Sequence, residues 1–248
     1  MSKNILKSII SQSNNIVFFG GAGVSTESEI PDFRSATGLY TTSAKGSYSP
    51  KEILSYSFFI NHTEEFFKFY KEKMIYPQAK PNAAHYAVAK LEERGKLQAV
   101  ITQNIDGLHQ MAGSKKVLEL HGAVHRNYCM KCGENYNVNF VLESDEVVPK
   151  CTKCKGIIRP NVTLYEESLD NIVLEDSIEY ISKAETLIVA GTSLLVYPAA
   201  SLIRFFNGKN LVLINKSATK YDNIANVVIN DSVGKILYSA SHMASGNL

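Results

Sequence analysis

Four short runs of consecutive apolar residues restrict the folds open to this chain. They are Ile16-Val17-Phe18-Phe19, Ala99-Val100-Ile101-Thr102, Thr186-Leu187-Ile188-Val189-Ala190 and Leu211-Val212-Leu213-Ile214. A strand that is apolar at successive positions, rather than alternate ones, is covered on both faces, as strands of a parallel sheet are. Val227-Val228-Ile229 is a shorter candidate of the same kind. Helical patterns lie between the runs: Asn82 to Arg94, with Pro81 before it and Gly95 after it, then Ile172 to Ser182 and Ala199 to Phe206. Ile5, Leu6, Ile9 and Ile10 mark one face of a short amphipathic helix at the start. Strand and helix in alternation predict an α/β fold with a doubly wound parallel sheet.

Two stretches break this rhythm. From about residue 40 to residue 80 the chain is rich in Phe and Tyr and poor in strand signals. Phe58, Phe59, Phe66, Phe67, Phe69 and Tyr70 recur there at mixed helical spacings. A small helical insert packing on itself is expected, in preference to an aromatic binding surface. The second break holds all four cysteines, Cys129, Cys132, Cys151 and Cys154, as C-x2-C, eighteen residues, then C-x2-C. Two such pairs can set four thiolates around one tetrahedral ion, the Zn(Cys)4 pattern. Gly133 and Gly156 beside the pairs suit tight turns. Two disulfides are the alternative, but a disulfide scaffold suits small secreted chains. With Cys at every vertex and none left for water, the zinc is expected to be structural.

The 248 residues allow one large domain, or a domain with an inserted module. A net charge of +2 without a long Lys or Arg run argues against sequence-independent nucleic-acid binding. No stretch approaches about 18 consecutive apolar residues, so no membrane span is expected. The N-terminal apolar run is too broken for a signal peptide, and a reducing cytoplasm is the compartment expected. The run His242 to Leu248 carries no periodicity. Its His-Met-Ala-Ser reads as a cloning scar and is kept out of the fold.

The first strand runs into Gly20-Gly21-Ala22-Gly23-Val24-Ser25-Thr26. A glycine turn there lets the backbone approach a pyrophosphate, with the free N–H groups of the next helix beside it. Alone the signal is weak. Thr26 stands where G-x-G-x-x-G has its third glycine, and no acidic residue closes a second strand to hold a ribose. Other polar clusters fall at strand ends. Ile30-Pro31-Asp32-Phe33-Arg34 follows the loop. Gln103-Asn104-Ile105-Asp106 ends the second run, and Leu120-His121-Gly122 precedes the first cysteine. Gly191-Thr192-Ser193 ends the third run, with Tyr197-Pro198-Ala199-Ala200 opening a helix, and Asn215 ends the fourth. Singly each has a bland explanation. Asp32 and Arg34 could form a surface ion pair, His121 could be a satisfied core residue, Thr192-Ser193 an N-cap and Asn104 a turn residue. Together they outline one crevice at the carboxyl edge of the sheet, where open parallel sheets bind ligands.

These residues resemble the sirtuin family of NAD-dependent protein lysine deacylases. The likeness rests on Gly21-Ala22-Gly23-Val24-Ser25, Ile30-Pro31-Asp32-Phe33-Arg34, Gln103-Asn104-Ile105-Asp106, His121-Gly122, the cysteine quartet, Arg159-Pro160-Asn161-Val162, Gly191-Thr192-Ser193 and Asn215, in that order. It implies a Rossmann-like domain over 1–38, 81–126 and 156–241. The small domain it implies has a helical module at 39–80 and a zinc ribbon at 127–155. NAD is then a consumed co-substrate, and the partner is an acylated lysine of a protein or peptide. The acyl oxygen attacks the anomeric carbon of the nicotinamide ribose and nicotinamide leaves. Asn104 and Asp106 match the family residues at the nicotinamide ribose and carboxamide. Ile30, Phe33 and Ile105 supply apolar walls, and Phe33 shields the intermediate from water. His121 acts as general base on a ribose hydroxyl, a task suited to an imidazole of pKa about 6.5. The products are free lysine, nicotinamide and O-acyl-ADP-ribose. Gly21, Ala22, Gly23, Thr26 and Arg34 fall to the pyrophosphate and nicotinamide side, and Gln103 and His121 to the nicotinamide ribose. Thr192, Ser193 and Asn215 hold the phosphate and adenosine ribose, and Val233 reaches the adenine through its backbone.

The resemblance also implies that Val162, Thr163 and Tyr165 contact the substrate, in a segment that takes the peptide as an added strand. Here the chain departs from the family. Thr163 replaces an apolar residue, and Glu166 a glycine, which is expected to alter the acyl-lysine channel or its rim. Relatives that prefer succinyl or malonyl groups carry a Tyr-x-x-Arg pair early in the helical insert. Tyr40 is followed by Thr41-Thr42-Ser43, which argues for acetyl or another uncharged acyl group. A branch of ADP-ribosyltransferases lacks the catalytic histidine, whereas this chain keeps His121. A protein ADP-ribosyltransferase and a non-catalytic NAD-sensing module are the competing functions.

Overall fold

The computed structural model describes residues 2–42 and 48–241. Ser43 and the 242–248 tail lie outside the described residues. In chain order the elements are α1 (Ser2–Gln12), β1 (Ile16–Gly20), α2 (Leu39–Thr42), α3 (Pro50–Ile53), α4 (Tyr56–Asn61), α5 (Thr63–Lys73), α6 (Ala83–Glu93), β2 (Leu97–Thr102), α7 (Leu108–Met111) and β3 (Val117–Glu119). There follow β4 (Gly122–Cys129), β5 (Asn135–Asn137), α8 (Val138–Leu142), β6 (Ile158–Val162), α9 (Asn171–Lys183), β7 (Thr186–Ala190), β8 (Asn210–Ile214), β9 (Val227–Ile229) and α10 (Val233–Ser241).

Six strands form one sheet in the order β3-β2-β1-β7-β8-β9, every pair parallel. The chain winds outward through β2 and β3, then returns to β1's other side with β7. The order therefore reverses between β1 and β7, which opens a crevice at their carboxyl ends. Both faces are covered, as the apolar runs require. Phe18, Val100, Ile188, Val212 and Ile214 pack on one side with α1, α6 and α10. Their neighbours Val17, Phe19, Ile101, Leu187, Val189, Leu211 and Leu213 pack on the other with α9 and the 199–205 turn. Helix α6 starts where Asn82 Oδ1 accepts from the Ala84 N–H at 2.8 Å, and Gly95 follows it with φ +70°. Within α1, Leu6 and Ile10 are buried while Ile5 is exposed, so the apolar face is real but narrower than its four residues suggest.

The three antiparallel strands β5-β4-β6 form a second sheet. A third core joins it to the aromatic stretch: Phe58, Phe59, Phe66, Phe67 and Tyr70 pack with Val124, Cys129, Cys151, Ile158 and Val162. The insert thus packs on itself and on the cysteine segment. Two helical expectations are corrected. The segment Ala199–Phe205 is a 3-10 helix rather than an α-helix. The glycine loop leads into two single 3-10 turns, Ala22–Val24 and Thr26–Ser28, rather than a long helix. Its backbone is spent on the β7 loop instead: the Gly21 N–H donates to the Ala190 carbonyl at 3.1 Å and Gly23 N–H to Gly191 at 2.8 Å.

Candidate active site

A cavity of about 770 Å³ sits at the carboxyl ends of β1, β2, β7 and β8 and faces the second sheet and its helices. Its floor is set by the glycine loop. A Cβ on Gly21 would lie 2.7 Å from Thr192 Cβ, and one on Gly23 2.8 Å from Gly191 Cα. These two glycines are small because the β1 and β7 loops touch. Ala22, Gly23, Thr26, Phe33 and Arg34 line the cavity from this side, but Gly21 lies behind the wall.

The β2 end carries the densest network. Asn104 Nδ2 donates to Ser25 Oγ at 3.0 Å, and Ser25 Oγ donates to Asp106 Oδ2 at 2.7 Å. The other oxygen of Asp106 accepts the Leu108 N–H at 2.9 Å. Asn104 and Ser25 are both buried in the cavity wall, and the bond between them fixes each side chain. Ser25 is the residue that sequence reasoning quoted as part of a motif and left out of the site. Its signal was only its place after the glycine turn. Gln103 Nε2 donates to Thr192 Oγ1 at 3.0 Å, and the Thr192 N–H donates to Asn215 Oδ1 at 2.9 Å. Thr192, Ser193, Asn215 and Val233 line the far end of the cavity, together with Lys216 and Ser217. Asn215 Nδ2 is buried without a partner, a donor left over on a residue whose oxygen is already used.

His121 stands where β3's loop meets β4. Its Nδ1 is 2.8 Å from the Gln103 carbonyl oxygen. A carbonyl only accepts, so Nδ1 carries the proton and Nε2 keeps a lone pair. Burial pushes the imidazole below its ordinary pKa, opposed by the bond to Gln103. The residue is therefore a neutral base at neutral pH. The His121 carbonyl accepts the Thr163 N–H at 2.9 Å, which ties the loop to the end of β6. Asp32 and Arg34 do not form a side-chain ion pair. Asp32 Oδ1 accepts the backbone N–H groups of Arg34 at 2.9 Å and Ser35 at 2.7 Å, shaping a turn.

Val162, Thr163 and Tyr165 line the cavity beside Ile105 and Phe33. The Leu164 N–H is taken by Glu167 at 2.9 Å, and the Tyr165 N–H by the Leu54 carbonyl at 2.9 Å. Glu167 also pairs with Arg159, whose guanidinium lies over the Tyr56 and Phe59 rings. Glu166 has φ +77°, the left-handed region that a glycine would fill without strain. Its carboxylate accepts the Ser57 N–H and hydroxyl, each at 2.9 Å, and so caps the start of α4.

The cysteines are apart from the cavity. Their sulfurs lie within 4.8 Å of one another, with Cys129 and Cys154 3.4 Å apart and Cys132 and Cys151 3.6 Å apart. These are not disulfides. Four sulfurs each at about 2.3 Å from one ion stand about 3.8 Å apart, so a single zinc ion fits. The two C-x2-C turns match: the Gly133 N–H donates to the Cys129 carbonyl and the Lys155 N–H to Cys151. Gly133 (φ +73°) and Lys155 (φ +59°) are both left-handed. Gly156 has a different reason to be small, since a Cβ there would lie 2.9 Å from Cys129 Sγ. Among the described residues no helix is long and apolar enough to cross a membrane.

The family model described as the Sir2 family matches residues 21–198. An NAD-dependent protein deacetylase of Clostridium acetobutylicum is 63% identical over 234 residues, covering 94% of this chain and 96% of the relative. One from Clostridium perfringens is 64% identical over 235 residues, with coverage of 94% and 96%. A solved structure of Sir2 bound to acetylated peptide superposes with a TM-score of 0.83 at 41% identity, covering 96% of each chain. With the reversal point, the cysteine quartet and these similarities in agreement, the chain belongs to the Sir2 family.

Proposed function

We infer that this chain, an NAD-dependent protein deacetylase, does its chemistry with His121, Asn104 and Asp106. The observation that carries the reading is the His121–Gln103 bond, which leaves Nε2 unprotonated in a cavity that also presents the Asn104–Ser25–Asp106 network. The acetyl oxygen of an acetyl-lysine attacks the anomeric carbon of the nicotinamide ribose. Nicotinamide leaves through a transition state of oxocarbenium character, which the polar Asn104 side chain stabilises. Asp106, its carboxylate fixed by Ser25, holds the carboxamide end. His121 then takes a proton from a ribose hydroxyl, which attacks the acetyl carbon of the imidate. The carbon–nitrogen bond breaks to release lysine, which carries off a proton, and one water adds to the cyclic acyl species left on the ribose to give O-acetyl-ADP-ribose. Phe33 and Ile105 keep water away. Ala22, Gly23, Thr26 and Arg34 face the pyrophosphate, with Gly21 permitting the loop contact behind them. Gln103 faces the nicotinamide ribose, Thr192, Ser193 and Asn215 the adenosine ribose and phosphate, and Val233 the adenine. Val162, Thr163 and Tyr165 border the acyl-lysine.

The division into a Rossmann-like domain (1–38, 81–126, 156–241) and a small domain (39–80, 127–155) is supported by the separate cores of the six-stranded sheet. The second sheet crosses its boundaries, since β4 starts at Gly122 and β6 spans Ile158–Val162. The third core also draws in Val124, Ile158, Val162 and Leu164 at the crossing points. The partner is an acetylated protein, with neither nucleic acid nor membrane in the reaction. Four thiolates held for zinc suit a reducing cytoplasm.

A panel of acetyl, propionyl, crotonyl, succinyl and long-chain acyl peptides, each assayed for nicotinamide release, tests this reading. Turnover is expected to be greatest for acetyl and to be absent for succinyl. Mass spectrometry of the protein substrate should show loss of 42 Da per acetyl group, about the mass of ketene, by the acyl transfer described. Gain of ADP-ribose on the substrate would instead establish the transferase. Ser25→Ala gives a second test. It strips Asp106 and Asn104 of a shared buried partner, at a cost of about 1–3 kcal/mol. The value of kcat/KM for NAD is expected to fall by roughly 5- to 150-fold, with zinc content unchanged.

A further inference from the structure

The turn that carries Phe33 and Arg34 is folded mainly on itself. Asp32 holds the Arg34 and Ser35 N–H groups, the Leu39 N–H donates to the Asp32 carbonyl at 2.8 Å, and the Tyr40 N–H donates to Phe33 at 2.9 Å. Residues 34–37 are exposed. Tyr40 extends from this turn to the other side of the cavity, where its hydroxyl lies 2.5 Å from the hydroxyl of Tyr165. Tyr165 is a firm anchor. Its backbone bonds to Leu54 on one side and Tyr56 on the other, and the next residue, Glu166, is fixed on Ser57. The Tyr40 ring in turn bears on both functional side chains of the turn. Phe33 meets it edge-on at 5.6 Å between centroids, and the Arg34 guanidinium lies 5.5 Å over it. One phenol–phenol bond thus joins the cofactor turn to the segment beside the acyl-lysine.

We propose that Tyr40 is a positioning residue: held by Tyr165, it keeps Phe33 in place as the barrier to water, and so sets how often NAD is hydrolysed instead of used for deacetylation. The inference rests on the reading of Phe33 as that barrier. The competing reaction is simple. Water in place of the acetyl oxygen attacks the anomeric carbon, the carbon–nitrogen bond to nicotinamide breaks, and the water proton passes to solvent. ADP-ribose and nicotinamide result, and the acetyl group stays on lysine. Phe33 drifting from its seat raises this leak because it opens the anomeric carbon to solvent. A packing defect alone would lower both reactions together.

The test measures ADP-ribose and O-acetyl-ADP-ribose from the full chain with NAD and an acetyl-lysine peptide. In Tyr40→Phe the ratio of ADP-ribose to O-acetyl-ADP-ribose is expected to rise about fivefold, the worth of one hydrogen bond. Tyr165→Phe is expected to match it, and the double variant to be no worse than either, because both lose the same bond. Thermal midpoints of all three are measured alongside. An unchanged ratio in the single variants overturns the proposal, as does a double variant whose effects multiply. A parent chain that releases no nicotinamide with any acyl peptide overturns the deacetylase mechanism itself, and this inference with it.

Discussion

His121→Ala is expected to lower kcat/KM for deacetylation by about 10²–10⁴-fold, the usual worth of a general base. The fold, the zinc content and the affinity for NAD should remain, the last within about threefold, or less than about 1 kcal/mol. The reason lies in what the side chain does to its surroundings. His121 makes one side-chain bond, to the Gln103 carbonyl, and its removal leaves that carbonyl beside a cavity where water can replace it. In the proposed mechanism the base acts only after nicotinamide has left. Exchange of labelled nicotinamide into NAD in the presence of acetyl peptide should therefore persist in the variant while release of free lysine is lost. Retained lysine release would remove His121 from the role of base. Loss of both reactions with loss of NAD binding would make it a structural residue.

The pH dependence has a defined sign. Burial lowers the pKa of His121, so the neutral, active form extends to more acid pH than a free imidazole allows, and activity falls only below about 6.5. Stability moves in the same direction through other groups. His85 and His109 are buried with rings 4.7 Å apart, and burial lowers their pKa values to about 4 and about 3. Below about 6.5 the unfolded chain binds protons that these imidazoles refuse, so the folded state loses stability as pH falls from there toward 4. Activity profiles in acid must therefore be taken at a temperature well below the unfolding midpoint at each pH.

The sheet was legible because its strands are apolar without interruption. That pattern has one physical cause, cover on both faces, and the two alternate core clusters show it. Strand β3, of only three residues behind Lys115-Lys116, carried too little pattern to be seen. Helix α10, by contrast, repeats its buried Val233, Ile236, Leu237 and Ala240 at helical spacing and was legible though not singled out. The crevice was legible because polar residues at several strand ends have no common explanation except a shared ligand. What was not legible was who holds whom. Ser25 between Asn104 and Asp106, Tyr40 against Tyr165, and Glu166 on Ser57 join residues 81, 125 and 109 positions apart, and no local spacing encodes such partners. The glycines illustrate the same limit. Gly156 looked like a turn residue by its position, yet it is Lys155 that takes the left-handed turn, and Gly156 that clears the sulfurs.

Removal of zinc is expected to abolish activity by a different route from loss of His121. The four sulfurs close a loop whose strands lead directly to the site: β4 runs from Gly122, next to His121, to Cys129, and pairs with β6, which ends at Val162. Cys129 and Cys151 are also members of the third core, packed with Phe and Leu residues from the helical insert. Without the ion, thiolates held less than 5 Å apart repel or take up protons, and the ribbon loses a binding free energy that reaches about 10–16 kcal/mol in small structural zinc sites. A strong chelator, or Cys129→Ala, should therefore lower the thermal midpoint, increase proteolysis within residues 127–155 and lose acetyl-peptide turnover together. The six-stranded sheet has its own two cores and does not depend on the ribbon, so far-UV circular dichroism should retain most of its parallel-sheet and helix signal. Zinc added back should restore turnover to the chelated protein but not to the Cys129→Ala variant, which lacks a ligand. Full activity in protein shown to be free of metal would separate the quartet from the catalytic loop. It would mean that the β4–β6 pairing and the Thr163 bond to His121 hold the site unaided.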